Sequence, residues 1–264
     1  MREYLDQPRE VSIETLTQCN AACTFCPYPT LERIGNKMPD EMIERLISEM
    51  ESWTEPFFFS PFKVNEPLLD KRTIPVCEQV IERTLGIPRI FSNGTTLTPK
   101  NIEKVHNLKR VAHLWISLNS HIASEYKDLM NLDFNKTVKN IDYLHNAYFR
   151  HDVVLSTVGH PNDEFKEYCN ERWPKFRCVV INKGSWLGYT NPDIDVVPDV
   201  GCQRWEELSI MSTGKVSLCC MDGTGDFAIG DVNDSTMLEV YQTTRERRLG
   251  MSRLDVYPCS TCTN

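Results

Sequence analysis

Val11-Ser12-Ile13-Glu14-Thr15-Leu16 runs straight into Thr17-Gln18-Cys19-Asn20-Ala21-Ala22-Cys23-Thr24-Phe25-Cys26-Pro27. The first six residues are rich in β-formers and predict a strand, so the cysteines occupy the loop that leaves it. Three closely spaced thiolates can hold three irons of a 4Fe–4S cluster. No fourth cysteine stands near in sequence, which leaves one iron free to bind something else. The competing use is a structural zinc site completed from elsewhere. Zinc, however, takes four nitrogen or sulfur ligands, usually supplied as two pairs, and here there is a triplet.

Outward from this loop, short β-rich runs alternate with helical periodicity. Strands are expected at Phe57–Phe62, Pro88–Phe91, Val111–Leu118, Val153–Val158 and Phe176–Ile181. Between them, apolar residues at helical spacing predict helices over Glu41–Met50, Arg72–Leu85, Ile122–Met130, Thr137–Tyr148 and Glu164–Arg172, with Thr98-Pro99 capping another that runs toward His106. Six strands alternating with helices predict an α/β fold, a parallel sheet or partial (βα)6 TIM barrel, with functional groups at the carboxyl ends of the strands. After Ile181 the pattern changes. The Gly-, Asn-, Asp- and Pro-rich stretch Lys183–Val200 reads as a linker, and Leu208–Met211 and Val216–Leu218 form a β-hairpin across Thr213-Gly214. A helix near Thr236–Arg247 and a cysteine-bearing tail follow. The division expected is a barrel core over residues 1–190 and a small hairpin-and-helix domain over 191–264.

Composition narrows the partners. The chain of 264 residues has 29 basic against 37 acidic residues, a net charge of −8, which argues against binding nucleic acid or an anionic membrane surface. Apolar runs such as Phe57-Phe58-Phe59 are far too short to span a membrane. The charged N-terminus, from Arg2 to Glu14, has no apolar segment of a signal peptide, so a cytoplasmic location is expected. In a reducing compartment the eleven cysteines are better used as metal or cluster ligands than as disulfides.

The Cys-x3-Cys-x-aromatic-Cys loop after the first strand resembles the signature of the radical S-adenosylmethionine (SAM) enzymes. In that superfamily the cluster's free iron chelates SAM, and its reductive cleavage yields a 5′-deoxyadenosyl radical that abstracts a substrate hydrogen. The resemblance makes Cys19, Cys23 and Cys26 the cluster ligands and places Phe25 among the SAM-binding residues. Asn65-Glu66-Pro67, after the second strand, resembles the Gly-Glu-Pro element that receives the methionine amino group, with Val64-Asn65 in place of two glycines. Ser92-Asn93-Gly94 and Ser117-Leu118-Asn119 resemble the polar strand ends that line the SAM pocket.

Cys202, then Gly214-Lys215-Val216-Ser217-Leu218-Cys219, then Cys259-Ser260-Thr261-Cys262 resembles the shortened SPASM, or twitch, domain of the same superfamily. That implies a second 4Fe–4S cluster on Cys202, Cys219, Cys259 and Cys262, with Cys219 chosen by its distance from the hairpin glycine and Cys220 as the fallback. A four-cysteine zinc site would use the same residues. Among the remaining cysteines, Cys77 reads as a small apolar residue, whereas Cys178 in the sixth strand could face the lumen as a hydrogen donor. Lys183, just past that strand, is a candidate lumen-edge cation. His106, His113, His121, His145, His151 and His160 show no ligand pairing, and Arg245-Glu246-Arg247-Arg248 reads as a solvated helix face.

Four cysteines would saturate the second cluster, which suits it to electron transfer rather than substrate ligation. Length and domain content resemble the SAM-dependent 2-deoxy-scyllo-inosamine dehydrogenases of the superfamily. The expected activity is therefore oxidation of an alcohol on a sugar or cyclitol, with the second cluster taking the electron. The expected partners are a small-molecule substrate and an external flavodoxin- or ferredoxin-type reductant. Modification of a ribosomal peptide and radical epimerisation are the competing enzymatic outcomes. A first strand near residue 11 leaves no room before it for a leader-peptide domain. A zinc-binding interaction protein is the alternative from another class.

Overall fold

The computed structural model describes residues 4–159, 163–190, 197 and 199–263, so His160 and much of the expected linker lie outside the described residues. Strand β1 (Glu10–Ile13) is buried along its whole length. Its neighbours explain why. On one side the parallel series continues through β2 (Phe57–Ser60), β3 (Gly86–Ser92), β4 (His113–Ser117), β5 (Val153–Val158) and β6 (Arg177–Ile181). On the other side β1 pairs, also in parallel, with β7 (Glu207–Ile210), in register from Glu10↔Glu207 to Ile13↔Ile210. Strands β8 (Lys215–Ser217) and β9 (Gly230–Asp231) then add antiparallel. Among the described residues this is one sheet of nine strands, open at β6 and β9. The expected α/β partial barrel is present. The expected hairpin is present too, but it extends the barrel's own sheet from the β1 edge.

Strand alternation gives the sheet two faces. Ile90, Leu114 and Ile116 are buried beneath the helices, while Arg89, Phe91, His113 and Trp115 turn to the concave lumen and stay half-buried. The helix layer consists of α1 (Asp40–Met50), α2 (Thr73–Arg83), α3 (Pro99–Asn107), α4 (Ala123–Met130), α5 (Phe134–Asn146) and α6 (Asp163–Arg172). Local chemistry sets their ends. Thr98 caps α3 as expected, its side chain accepting from the Asn101 amide at 3.3 Å. Helix α5 starts earlier than its periodicity suggests because Asp133 caps it, accepting from the Lys136 amide at 3.1 Å.

Three expectations are corrected. The C-terminal helix breaks after α7 (Met237–Gln242), and α8 (Arg245–Arg248) is a separate turn. Its last residue is not solvated. Arg248 is 1% exposed, lies over the Tyr241 ring at 3.5 Å, and donates to the carbonyls of Leu5 and Tyr241 at 3.1 and 3.0 Å. Cys178 does not face the lumen either. It pairs in register with Leu155, on the helix-facing side of β5, and its thiol bonds Cys169 of α6.

The carboxyl end of β1 is where the parts are joined. Glu14 is fully buried and accepts two bonds from Arg33, at 3.0 and 3.2 Å, and one from the Thr17 hydroxyl at 2.8 Å. The same guanidinium donates to the Gly223 carbonyl at 2.7 Å, in the loop beyond the hairpin. One ion pair thus ties β1, the cysteine loop and the C-terminal segment. Breaking such a pair strands a charge and costs about 3–5 kcal/mol. Arg33→Met should therefore lower stability by about 3 kcal/mol in anaerobic urea unfolding, and an unchanged midpoint would contradict this role for the pair.

Candidate active site

The cysteine loop hangs on the end of α4: the amides of Ala22 and Thr24 donate to the carbonyls of Met130 and Leu129 at 3.0 and 2.9 Å. Cys19, Cys23 and Cys26 are free, half-buried thiols. Burial pushes the Cys19 thiol up to about 12 and that of Cys26 to about 11. Cys23 is also raised, by burial and then by the neighbouring Cys26 and Cys19. Three thiols that desolvation and mutual repulsion keep protonated are a donor set that a cationic iron–sulfur core relieves. Among the described residues, no three Cys, His, Asp or Glu side chains converge on a single-ion position. A cubane does not require it, because each thiolate takes a different iron.

Beside this loop stands Glu66, 3% exposed. Its backbone amide donates to the Gln18 carbonyl at 2.9 Å, one residue before Cys19. Its Oε1 accepts from the hydroxyls of Thr96 and Ser92 at 2.7 and 3.0 Å, and its Oε2 from the Asn93 amide at 2.7 Å. Burial raises the carboxyl's pKa, opposed by these bonds. A ligand cation placed on the remaining Oε2 lone pair would favour the ionised form. The Asn93 side chain reaches the cysteine loop, donating to Asn20 Oδ1 at 2.8 Å and lying 4.0 Å from the Cys19 sulfur. Asn65 Oδ1 accepts from the Lys63 amide at 2.9 Å, whereas its buried Nδ2 has no partner among the described residues. That unpaired donor beside Glu66 suits a ligand's acceptor.

The other expected pocket residues divide. Asn119 takes a left-handed conformation, φ 64°, and its Oδ1 accepts from the Val158 amide at 3.1 Å, so its side chain helps to shape the strand ends. Ser117 and Phe25 are half-buried. Lys183 is half-buried at the β6 exit. Below them the lumen is aromatic: Phe91 packs against Phe62 at 4.3 Å and Trp115 at 5.8 Å between centroids, and the Trp115 indole donates to Ser156 at 2.8 Å. At its foot, burial and then the cations of Arg89 and Arg177 pull His113 down to about 4.

Of the C-terminal cysteines, Cys259 belongs to a small apolar cluster with Trp205, Leu218 and Val256, and Cys202 packs against it. Cys202 precedes the turn that carries Trp205, and Cys259 and Cys262 bracket a tight turn in the tail, the Cys262 amide donating to the Cys259 carbonyl at 3.0 Å. The Trp205 side chain bonds the Cys259 thiol. Burial raises Cys202 and Cys259, the neighbouring Cys262 adds to both, and Cys202 adds to Cys259. Cys219 and Cys220 sit together in the turn after β8 and interact chiefly with one another, with Lys63 and with Arg204. Lys63 was invisible in the sequence. It is a lone lysine in the β2 loop, and only the fold carries it to the hairpin.

The family signature described as the radical SAM superfamily matches residues 13–170, and that of an iron–sulfur cluster-binding (SPASM) domain matches residues 202–263. This chain belongs to the radical SAM superfamily. The two domains make 4Fe–4S clusters and SAM its cofactors. It is an enzyme that needs a reductant and a substrate.

A search of curated proteins finds no match. Among solved structures, BtrN in complex with AdoMet and 2-DOIA is similar at 16% identity and a TM-score of 0.66, over 97% of this chain and 93% of that one. The enzyme anSMEcpe with bound AdoMet is similar at 16% identity and a TM-score of 0.71, over 91% and 82% of the two chains. Streptococcus suis SuiB bound to precursor peptide SuiA is similar at 16% identity and a TM-score of 0.70, over 90% of this chain but 65% of that one. No helix among the described residues is long and apolar enough to cross a membrane.

Two outcomes test the site. Cys19→Ala/Cys23→Ala/Cys26→Ala should lower the iron content from about eight to about four per chain and abolish SAM cleavage. Loss of all iron would show that the C-terminal thiols do not form an independent site. Glu66→Gln keeps the side-chain shape and should retain iron but weaken SAM binding about ten- to a hundredfold, since a hydrogen bond to a charged group is worth about 1.5–3 kcal/mol. Unchanged affinity by equilibrium dialysis would remove Glu66 from the SAM site.

Proposed function

We propose that this radical SAM enzyme oxidises an alcohol on a small cyclic polyol, of the sugar or cyclitol class, and delivers the second electron to its C-terminal cluster. The observation that carries the reading is the near end-to-end correspondence with BtrN, a structure that holds AdoMet and 2-DOIA. Against SuiB, whose structure holds a peptide, this chain spans 65% of the partner. The lumen agrees with a ring substrate. Phe62, Phe91 and Trp115 offer apolar faces to ring C–H groups, while the half-buried Arg89 supplies a polar contact at the same wall.

In this reading Cys19, Cys23 and Cys26 hold the SAM-cleaving cluster, and Cys202, Cys219, Cys259 and Cys262 hold the second. When bound, the first cluster and SAM supply the 5′-deoxyadenosyl radical that takes a hydrogen from the substrate. Glu66 and Asn65 hold the methionine end, with Ser92, Asn93, Phe25, Ser117 and Asn119 around the rest of the nucleoside. Lys183, at the lumen edge, anchors the polar end of the substrate. A flavodoxin- or ferredoxin-type protein delivers the first electron. The concave wall fixes the reacting carbon and excludes water, which is the protein's share of the rate.

Anaerobic turnover of a metabolite pool in deuterated water, read by mass spectrometry, tests this. Oxidation gives a product two hydrogens lighter with no solvent deuterium at carbon. A product of otherwise unchanged mass carrying one deuterium would instead establish epimerisation, and a modified peptide as the sole reacting species would establish the peptide reading.

A further inference from the structure

At the amino ends of β4, β5 and β6 the fold leaves a cavity of about 540 Å³, large enough for a small organic molecule. It lies at the opposite end of the strands from the cysteine loop. Strand β4 is five residues long, roughly 16 Å, and that length separates the cavity from the strand ends that carry Ser117 and Asn119. The chain has a net charge of −8, yet this cavity is basic. Arg150, Lys175 and Arg177 line it, and Asp152 is the one carboxylate among the lining residues. The excess is two positive charges.

Most of the donors here are unspent. The Lys175 ammonium gives one bond, to the His145 carbonyl at 2.9 Å, which leaves two of its three N–H groups. Arg150 reaches only the Lys109 carbonyl, at 3.5 Å. Arg177 makes no hydrogen bond or ion pair among the described residues. Two lining histidines add an independent observation. His113, which opens β4, and His145, in the last turn of α5, each keep a buried Nε2 without a hydrogen-bond partner. A buried polar atom left unpaired costs free energy unless a ligand or water meets it. The lining also has an apolar part. Phe149 and Phe176 are half-buried there, and the Phe176 ring meets that of His145 edge-on at 5.3 Å between centroids.

We propose that this cavity is a second ligand site, separate from the SAM pocket, and that it binds a small aromatic phosphate monoester. At neutral pH such a group carries about −1.5 to −2 charges, which matches the excess on the wall. A carboxylate or a sulfate ester brings a single charge and answers half of it. The planar fork of Arg177 suits two phosphate oxygens, and the free N–H groups of Lys175 suit the third. Phe149 and Phe176 give the ring of the ester an apolar surface. The site is also in touch with the lumen above it, because the His113 ring lies 5.7 Å from Phe91 and 5.5 Å from Trp115 between centroids.

Anaerobic isothermal titration of the oxidised, iron-loaded chain tests this, with SAM in excess so that its own site is filled. Phenyl phosphate is the probe, and inorganic phosphate and phenol stand for its two halves. One equivalent of phenyl phosphate should bind, inorganic phosphate should bind more weakly, and phenol should give no heat of binding. Lys175→Gln/Arg177→Gln should keep its iron and lose about tenfold or more in phenyl phosphate affinity, as the removal of two charge-assisted donors requires. Absence of phenyl phosphate binding to the parent chain overturns the proposal. So does binding that the double variant leaves unchanged. Equal affinity for phenyl phosphate and inorganic phosphate would overturn the aromatic ester as the ligand class.

Discussion

The structure depends on what holds β1 between its two neighbours. The strand is paired in parallel on both sides, with β2 and with β7, and Glu14, the residue just past its end, is buried against Arg33. Parallel pairing on both edges makes the strand central to the sheet. The ion pair then fixes the loop that follows, because Arg33 also holds the Gly223 carbonyl. The cysteine loop after β1 and the turn after β8 that holds Cys219 are consequently carried by one sheet.

Charge in this molecule is handled inside the protein. Glu66 is buried among hydroxyls and an amide, Lys63 among hydroxyls and a carbonyl, and neither has an oppositely charged side chain as its partner. Neutral dipoles can hold an ion in place without cancelling its field, and that field is strong in a medium of low dielectric. Burial pushes both groups toward their neutral forms, and a ligand cation beside Glu66 would favour its carboxylate. The Arg33–Glu14 pair is the opposite case, where the charges cancel and the product is rigidity.

Much of this was legible in the sequence, and the reasons are local. The spacing of Cys19, Cys23 and Cys26 points to a cluster and its resemblance to the radical SAM signature points to SAM, while Thr98-Pro99 gives away a helix start because a cap and a proline act on adjacent residues. The six strands of the barrel are readable from short-range alternation. What escaped is non-local. The β1–β7 pairing joins residues about two hundred positions apart, and no periodicity in either strand announces its partner. Arg248 looks like a surface charge because its acceptors, the carbonyls of Leu5 and Tyr241, carry no sequence signal. Cys178 was placed on the wrong face because β6 is nearly apolar throughout, which leaves its alternation without a polar phase to read. Lys63 is hidden for the same reason as Arg248.

The central claim is that the radical reaction ends with an electron on the C-terminal cluster. A single anaerobic turnover of the prereduced enzyme, sampled by freeze-quench EPR while 5′-deoxyadenosine is counted, tests it most directly. The reduced C-terminal cluster should appear in step with 5′-deoxyadenosine, one electron for each molecule formed. Formation of 5′-deoxyadenosine with product while that cluster stays oxidised throughout would contradict the account.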